Sequence, residues 1–139
     1  MTRVPARTLY RLIEAGQRTH RALLRPVAER GLEPGDEAVL FVLGPEGATE
    51  ADLSAQTGLV NGTLAPRIDR LIARDIVVRR AIGAQLIAGL ALTERGERMR
   101  QAIATTWGDL ETGLLERVTP RERRRLRRLL KRLVRLLPN

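Results

Sequence analysis

Residues 51–80 decide the fold of this 139-residue chain, and they read ADLSAQTGLVNGTLAPRIDRLIARDIVVRR. Two short helical segments meet at Gly58, where the left-handed backbone that glycine tolerates permits a tight turn. The second segment runs from about Asn61, a good N-cap residue, to Arg74, with apolar residues spaced four and three apart. A β-branched run at 76–78 then begins a strand. This order predicts a helix-turn-helix followed by a wing.

The flanking sequence predicts one hairpin and four more helices. The apolar segment 86–92 supplies the second strand, and the uncharged segment 81–85 supplies the turn between the two strands. The fold class is therefore mainly α: a winged helix-turn-helix with a two-stranded β-hairpin wing, placed at 35–93 within a single domain over 1–139. The four other helices are predicted at 7–25 (which Pro26 ends or kinks), at 36–43, from a Thr93 cap, and after Pro120. The first helix of the helix-turn-helix runs from a Thr49 cap to Gly58.

The composition excludes most catalytic and metal sites. The chain has no cysteine, one histidine (His20) and one serine (Ser54), so thiol chemistry, a histidine-based zinc cluster and a nucleophile–base pair cannot be assembled. We therefore expect no enzyme activity, no cofactor and no metal. No apolar run is long enough for a signal peptide or a membrane span, so we expect a cytoplasmic protein without membrane contact.

The positive charge is concentrated at one end of the sequence. The net charge is +9, yet residues 121–135 hold nine basic side chains against the single acid Glu122, and residues 35–93 have a net charge of −2. The basic segment has two interpretations: a contact with nucleic acid or a membrane, or a dimerisation helix with a buried leucine face and a solvated arginine face. The leucine spacing favours the second. The leucines of that face are Leu126, Leu129, Leu130, Leu133 and Leu137.

The stretch at 51–80, with LALTERGERM at 90–99, resembles the MarR family of bacterial transcriptional regulators. Within that family, NGTLAPRIDRL at 61–71 is similar to the recognition helix of the peroxide-sensing subgroup, although the absence of cysteine excludes thiol sensing here. The resemblance implies an obligate homodimer formed by 1–34 and 94–139, a pseudo-palindromic DNA operator, and a pocket for a small-molecule effector. The uncharged turn at 81–85 departs from the charged wing tip of the family.

Helix-turn-helix geometry assigns roles to the second helix and the wing. Side chains at the start of the second helix reach base edges in the major groove, and arginines nearby reach phosphates. The neighbouring residues Asp69 and Arg70 have two interpretations. In the first, Arg70 binds a phosphate and Asp69 accepts a hydrogen bond from a donor on the wing or at a helix cap. In the second, both side chains are solvated. The predicted contacts with double-stranded DNA are Asn61, Gly62, Thr63, Ala65, Pro66, Arg67, Arg70, Arg74, Arg79 and Arg80.

Three side chains are candidates for an effector pocket. Tyr10, His20 and Trp107 lie on helical stripes, where the alternatives are core packing for the aromatic residues and an interface position for the histidine. The function predicted overall is a homodimeric, sequence-specific DNA-binding regulator, namely a ligand-responsive repressor. The alternative is a winged-helix interaction protein that has lost operator binding and contacts a protein partner.

Overall fold

A computed structural model describes residues 6–59 and 61–138, apart from the side chain of Asn61. Within those residues the chain forms six helices and one two-stranded antiparallel hairpin, which confirms the predicted winged helix-turn-helix class. None of the described helices combines the length and the apolar character needed to cross a bilayer. In chain order the elements are α1 (Arg7–Glu29), α2 (Asp36–Leu43), α3 (Glu50–Thr57), α4 (Asn61–Ala73), β1 (Val77–Ile82), β2 (Ile87–Leu92), α5 (Glu94–Leu114) and α6 (Pro120–Leu136).

The chain divides into two compact units whose boundary lies inside α5, between Ala104 and Thr105. The first unit contains α1 to α4, the hairpin and the start of α5, and it holds the apolar core. The second contains the end of α5 and α6, and α6 has no buried residue. The largest fully buried apolar side chains of the first unit are Leu40, Leu43, Leu53, Ile68, Leu71, Ile76, Leu90 and Ile103.

Helix α1 continues past Pro26, so the alternative in which the helix ends at that residue is wrong. Pro26 lies inside the last turn, where its missing N–H removes only one helical hydrogen bond. Both Pro26 and Val27 are buried, so apolar packing holds this turn in place. The helix ends at Glu29, and Gly31 follows with a φ of +72°, in the left-handed region that favours glycine.

Strand β1 is longer than the sequence predicts, and the turn begins two residues later and ends one residue later than predicted. Val77 pairs with Leu92 and Ile82 with Ile87, so residues 81 and 82 belong to β1 and the turn occupies 83–86. The reason is the packing of Ile82 over Gly89: a Cβ on Gly89 would lie 2.7 Å from Ile82 Cδ1. The backbone of Ala48 also pairs with that of Leu90, on the edge of β2 that β1 does not occupy.

Side-chain caps fix the starts of the helices around the hairpin, as predicted. Thr49 Oγ1 accepts from the Asp52 N–H at 3.1 Å at the start of α3. Thr93 Oγ1 accepts from the Gly96 N–H at 3.0 Å at the start of α5. Helix α3 ends at Gly58 with a φ of +71°, the left-handed conformation expected of the turn.

Two glycines of α5 form a matched pair for a stability test. A Cβ on the buried Gly96 would lie 2.1 Å from the carbonyl oxygen of Ile76, whereas a Cβ on Gly108 would meet nothing within 4 Å. We expect Gly96→Ala to lower the free energy of unfolding by about 1–3 kcal/mol through overpacking. We expect Gly108→Ala to raise it by about 0.5–1 kcal/mol through helix propensity. Urea denaturation followed by circular dichroism measures both, and equal stabilities for the two variants would contradict the packing described here.

Candidate nucleic-acid interface

The turn between α3 and α4 is fixed by hydrogen bonds from two side chains of α3. Ser54 Oγ donates to the Leu59 carbonyl oxygen at 3.0 Å, and Thr57 Oγ1 donates to the Leu53 carbonyl oxygen at 2.5 Å. Thr57 Oγ1 also accepts from the Leu59 N–H at 3.3 Å. These bonds satisfy polar groups that a tight turn would otherwise leave unpaired. They hold α4 at a defined position after α3, as a helix-turn-helix requires.

Helix α4 has one buried face and one exposed face. Leu64, Ile68 and Leu71 are buried against the core, as their spacing predicted. Asn61 is the first residue of the helix, but its side chain and Val60 lie outside the described residues, so the capping and base-reading roles of Asn61 stay predictions. The exposed residues on the other face are Gly62, Thr63, Ala65, Pro66 and Asp69.

The carboxylate of Asp36, at the start of α2, binds two of the predicted phosphate-binding arginines. Its Oδ1 atom accepts from Arg67 Nη1 at 2.5 Å and from Arg70 Nη2 at 2.6 Å. Its Oδ2 atom accepts from the Glu33 N–H at 2.8 Å. Asp36 is fully buried, and the ionised carboxylate is compensated by two cations and a backbone donor.

Further contacts join the same arginines to the segment between α1 and α2. Arg67 Nη1 also donates to the Pro34 carbonyl oxygen at 3.2 Å, and Arg70 Nη1 lies 3.3 Å from Glu33 Oε2. Gly35, with a φ of +101°, leaves room for the Arg67 guanidinium, since a Cβ there would lie 2.9 Å from Arg67 Nη2. Any other residue at position 35 would have a strained backbone, and its β-carbon would clash with the guanidinium group of Arg67.

Arg74 is engaged in the same manner. Its Nη1 atom donates to the Gly31 carbonyl oxygen at 2.6 Å, and its Nη2 atom donates to the Arg30 carbonyl oxygen at 3.3 Å. The phosphate role predicted for Arg67, Arg70 and Arg74 stays a prediction. In the structure all three side chains hold α4 against the segment that precedes α2. If Arg67 and Arg70 both left Asp36 for a phosphate, Asp36 would become an uncompensated buried charge.

The base of the wing carries a second ion-pair cluster. Arg79 Nη1 lies 2.5 Å from Glu50 Oε1, and Arg79 Nη2 lies 4.0 Å from Asp69 Oδ1. The hydrogen bond to Glu50 raises the pKa of Arg79. Asp69 is 75% exposed and lies only at the outer limit of ion-pair distance from Arg79, so its predicted role stays a prediction. Arg80 is exposed and forms no ion pair with any of the residues that the structure describes.

The sequence analysis missed Asp36 and Glu50, which decide the electrostatics of this surface. Both were counted only as part of the negative balance of residues 35–93. One signal did exist for Asp36, because an acid at the start of an apolar helix needs a compensating partner once that helix is buried. No spacing rule indicates that the partners lie about thirty residues later in the sequence.

The fold that carries this surface is shared with solved structures. Neither a protein-family model nor a curated protein sequence matches the chain. Solved structures do. A MarR-family transcriptional regulator from Rhodococcus sp. RHA1 matches with a TM-score of 0.74 at 20% identity, covering 95% of this chain and 96% of that one. The chain has the MarR fold.

Two other MarR-fold structures extend the comparison. MepR, a transcription regulator of the Staphylococcus aureus multidrug efflux pump MepA, matches with a TM-score of 0.72 at 16% identity, over 97% of this chain and all of that one. The transcriptional repressor CouR, of Rhodococcus jostii RHA1, is bound to a 23-mer DNA duplex in its structure. It matches with a TM-score of 0.74 at 21% identity, over 96% of this chain and 99% of that one. At these identities the likeness concerns the fold.

The predicted effector residues are not brought together within one unit of the MarR fold. Tyr10 and His20 are both exposed on α1. Ten residues of helix separate them by about 15 Å along the axis. Trp107 belongs to α5 in the second unit and is partly exposed. An effector pocket containing these side chains stays a prediction.

The predicted dimerisation leucines form an exposed apolar face on α6. Their exposure ranges from 36% for Leu133 to 62% for Leu137. In the first unit, α1 likewise exposes Leu9 and Ile13, one turn apart. Apolar stripes of this length are unusual on an isolated chain. The residues of the α6 face are Leu126, Leu129, Leu130, Leu133 and Leu137.

The contribution of Asp36 can be measured by removing its charge. We expect Asp36→Asn to lower the free energy of unfolding by about 3 kcal/mol, because two guanidinium groups would lose their buried counter-charge. The matched control is Asp69→Asn, on an exposed carboxylate of α4, for which we expect a change below about 0.5 kcal/mol. Denaturant titration measures both values. A D36N protein as stable as D69N would show that Asp36 does not hold α4 in place.

Proposed function

We propose that the protein is a homodimeric, sequence-specific DNA-binding transcriptional regulator that acts as a ligand-responsive repressor. The observation that carries this proposal is the exposed, small-residue face of α4, next to an antiparallel hairpin, in the fold that CouR uses to hold a DNA duplex. The comparisons do not support the alternative of a winged-helix interaction protein without operator binding.

The start of α4 suits direct contact with the major groove. Gly62 and Ala65 carry little or no side chain, so the helix backbone can approach the base edges closely. Thr63 and Ala65 offer the methyl groups that contact thymine, and threonine also offers a hydroxyl. Asn61, at the first position of the helix, completes the proposed reading surface with the bidentate contact that asparagine makes to adenine. Arg80, at the wing base, remains as a phosphate contact.

Homodimerisation is proposed from the apolar faces of α1 and α6. A twofold dimer would cover both faces, and it would place two α4 helices on a pseudo-palindromic operator. The effector is proposed by analogy with CouR, which has also been solved with p-coumaroyl-CoA bound. In this chain Tyr10, His20 and Trp107 remain the proposed effector residues.

The proposed reading surface is tested by placing a charge on it. We expect Ala65→Glu to weaken binding to the DNA flanking the protein's own gene by at least tenfold, because a carboxylate would face the bases and phosphates of the groove. The matched control is Ala73→Glu, which adds the same charge to an exposed position about 12 Å further along α4. A mobility-shift titration measures both variants. Equal binding by A65E and the parent would show that α4 does not read the groove.

The proposed dimer is tested on the leucine face of α6. We expect Leu129→Asp combined with Leu133→Asp to convert the dimer into a monomer or into aggregates, because charges would enter the apolar interface. The matched control, Arg128→Asp with Arg132→Asp, has the same spacing on the opposite face and should leave the mass of the assembly unchanged. Light scattering after gel filtration gives that mass. A dimer that survives L129D/L133D would exclude α6 as its interface.

A further inference from the structure

The side of α6 opposite the leucines carries eight exposed basic residues, here named the α6 basic face. The helical period places all eight on one half of the helix surface, over a length of about 21 Å. Four of them, Arg124, Arg127, Arg128 and Lys131, line a shallow groove. The complete set is Arg121, Arg124, Arg125, Arg127, Arg128, Lys131, Arg132 and Arg135.

No acid compensates this charge within the helix. The one acid of α6, Glu122, lies on the leucine side and accepts from the Thr119 N–H at 3.1 Å in a capping box. That bond lowers the pKa of Glu122 and commits the carboxylate to the helix start. None of the eight cations forms an ion pair with any residue in the described part of the chain.

Like charges three and four residues apart repel one another, so this arrangement opposes helix formation. Helix α1 shows the usual solution, because Arg18 pairs with Glu14 and Arg25 with Glu29. On α6 the acids that would relieve the repulsion are absent. An uncompensated row of this kind is the electrostatic footprint of a polyanion-binding surface.

The winged-helix region shows the opposite arrangement. Arg67 and Arg70 share the carboxylate of Asp36, and Arg70 also pairs with Glu33. Arg74 is bonded to two carbonyl oxygens, and Arg79 is paired with Glu50. Only Arg80 among the basic residues of 35–93 has no ion pair or side-chain hydrogen bond to the described residues. Sequence-independent affinity for DNA comes from cations on phosphates, and this region supplies few of them.

We propose that the α6 basic face is a sequence-independent binding surface for the phosphate backbone of duplex DNA, distinct from the reading surface of α4. Seven of the eight cations are arginine, whose planar guanidinium matches phosphate oxygens in a bidentate geometry. The length of the face spans about six phosphates of one strand. The inference rests on the proposed function in taking DNA as the polyanion and in taking the leucine face as a dimer interface.

An anionic membrane is the competing partner, and two features disfavour it. A helix that lies in a membrane interface inserts its apolar face, commonly with aromatic residues at its border. Helix α6 contains no aromatic residue. Its leucine face is the proposed dimer interface, and a buried face cannot also enter a bilayer.

The test measures binding of the full chain to a random-sequence duplex over a range of salt concentrations. The variant replaces Arg124, Arg128 and Arg132 with Gln. We expect it to bind the random duplex more than tenfold more weakly at about 0.1 M salt, with the slope of log K against log salt reduced by up to about 3 per bound chain. The matched control replaces Arg18, Arg21 and Arg25 of α1 with Gln, which removes the same charge at a similar spacing and should have a much smaller effect.

Three outcomes would overturn the inference. The first is an unchanged slope in the α6 variant, and the second is an equal loss in the α1 control. The third is binding to vesicles of phosphatidylglycerol that the α6 variant loses while its duplex binding stays intact.

A separate mobility shift with the DNA flanking the gene distinguishes failure of this inference from failure of the proposed function. Random-duplex binding without operator preference would reject the proposed function alone, whereas operator binding with an unchanged slope would reject the α6 basic face alone.

Discussion

The buried carboxylate of Asp36 is the constraint on which the position of α4 depends. An ionised group with no exposure to solvent is tolerated only when cations and donors surround it, and here Arg67, Arg70 and the Glu33 N–H do so. Both arginines belong to α4, whereas Asp36 begins α2. The ion cluster therefore ties the start of one helix to the middle of another, with a directional geometry that apolar packing of Leu64 and Ile68 does not provide.

This cluster also determines the charge that α4 can offer to a ligand. Because the guanidinium groups of Arg67 and Arg70 bond to Asp36, the exposed residues of the helix are small or weakly polar ones and Asp69. Such a face is suited to shape and methyl recognition rather than to strong phosphate binding. Arg79 is drawn toward Glu50 in the same way. Charge within the first unit thus serves mainly to hold the elements in position.

Local sequence rules predicted the parts of the fold that depend on local interactions. The burial of Leu64, Ile68 and Leu71 follows from helical spacing, and the caps at Thr49 and Thr93 follow from short-range hydrogen bonds. The same rules did not identify the partners of Arg67, Arg70 and Arg74, because those partners are distant in sequence. The end of α1 and the position of the hairpin turn were predicted wrongly for a related reason. Burial of Val27 outweighed the tendency of Pro26 to end a helix, and the packing of Ile82 on Gly89 outweighed the local preference for a turn at 81–82.

The two units place their arginines under different physical conditions. In the first unit, Arg67 is 15% exposed and compensated, so its charge is a structural component. In the second unit, α6 has a capped start, an apolar face and a basic face without acids. A capping box stabilises the first turn, where Arg121, Arg124 and Arg125 repel one another, and an apolar interface would supply the remaining stability. A helix maintained against its own charge in this way keeps its cations available to an external polyanion, whereas the arginines of α4 are bonded to groups of the protein.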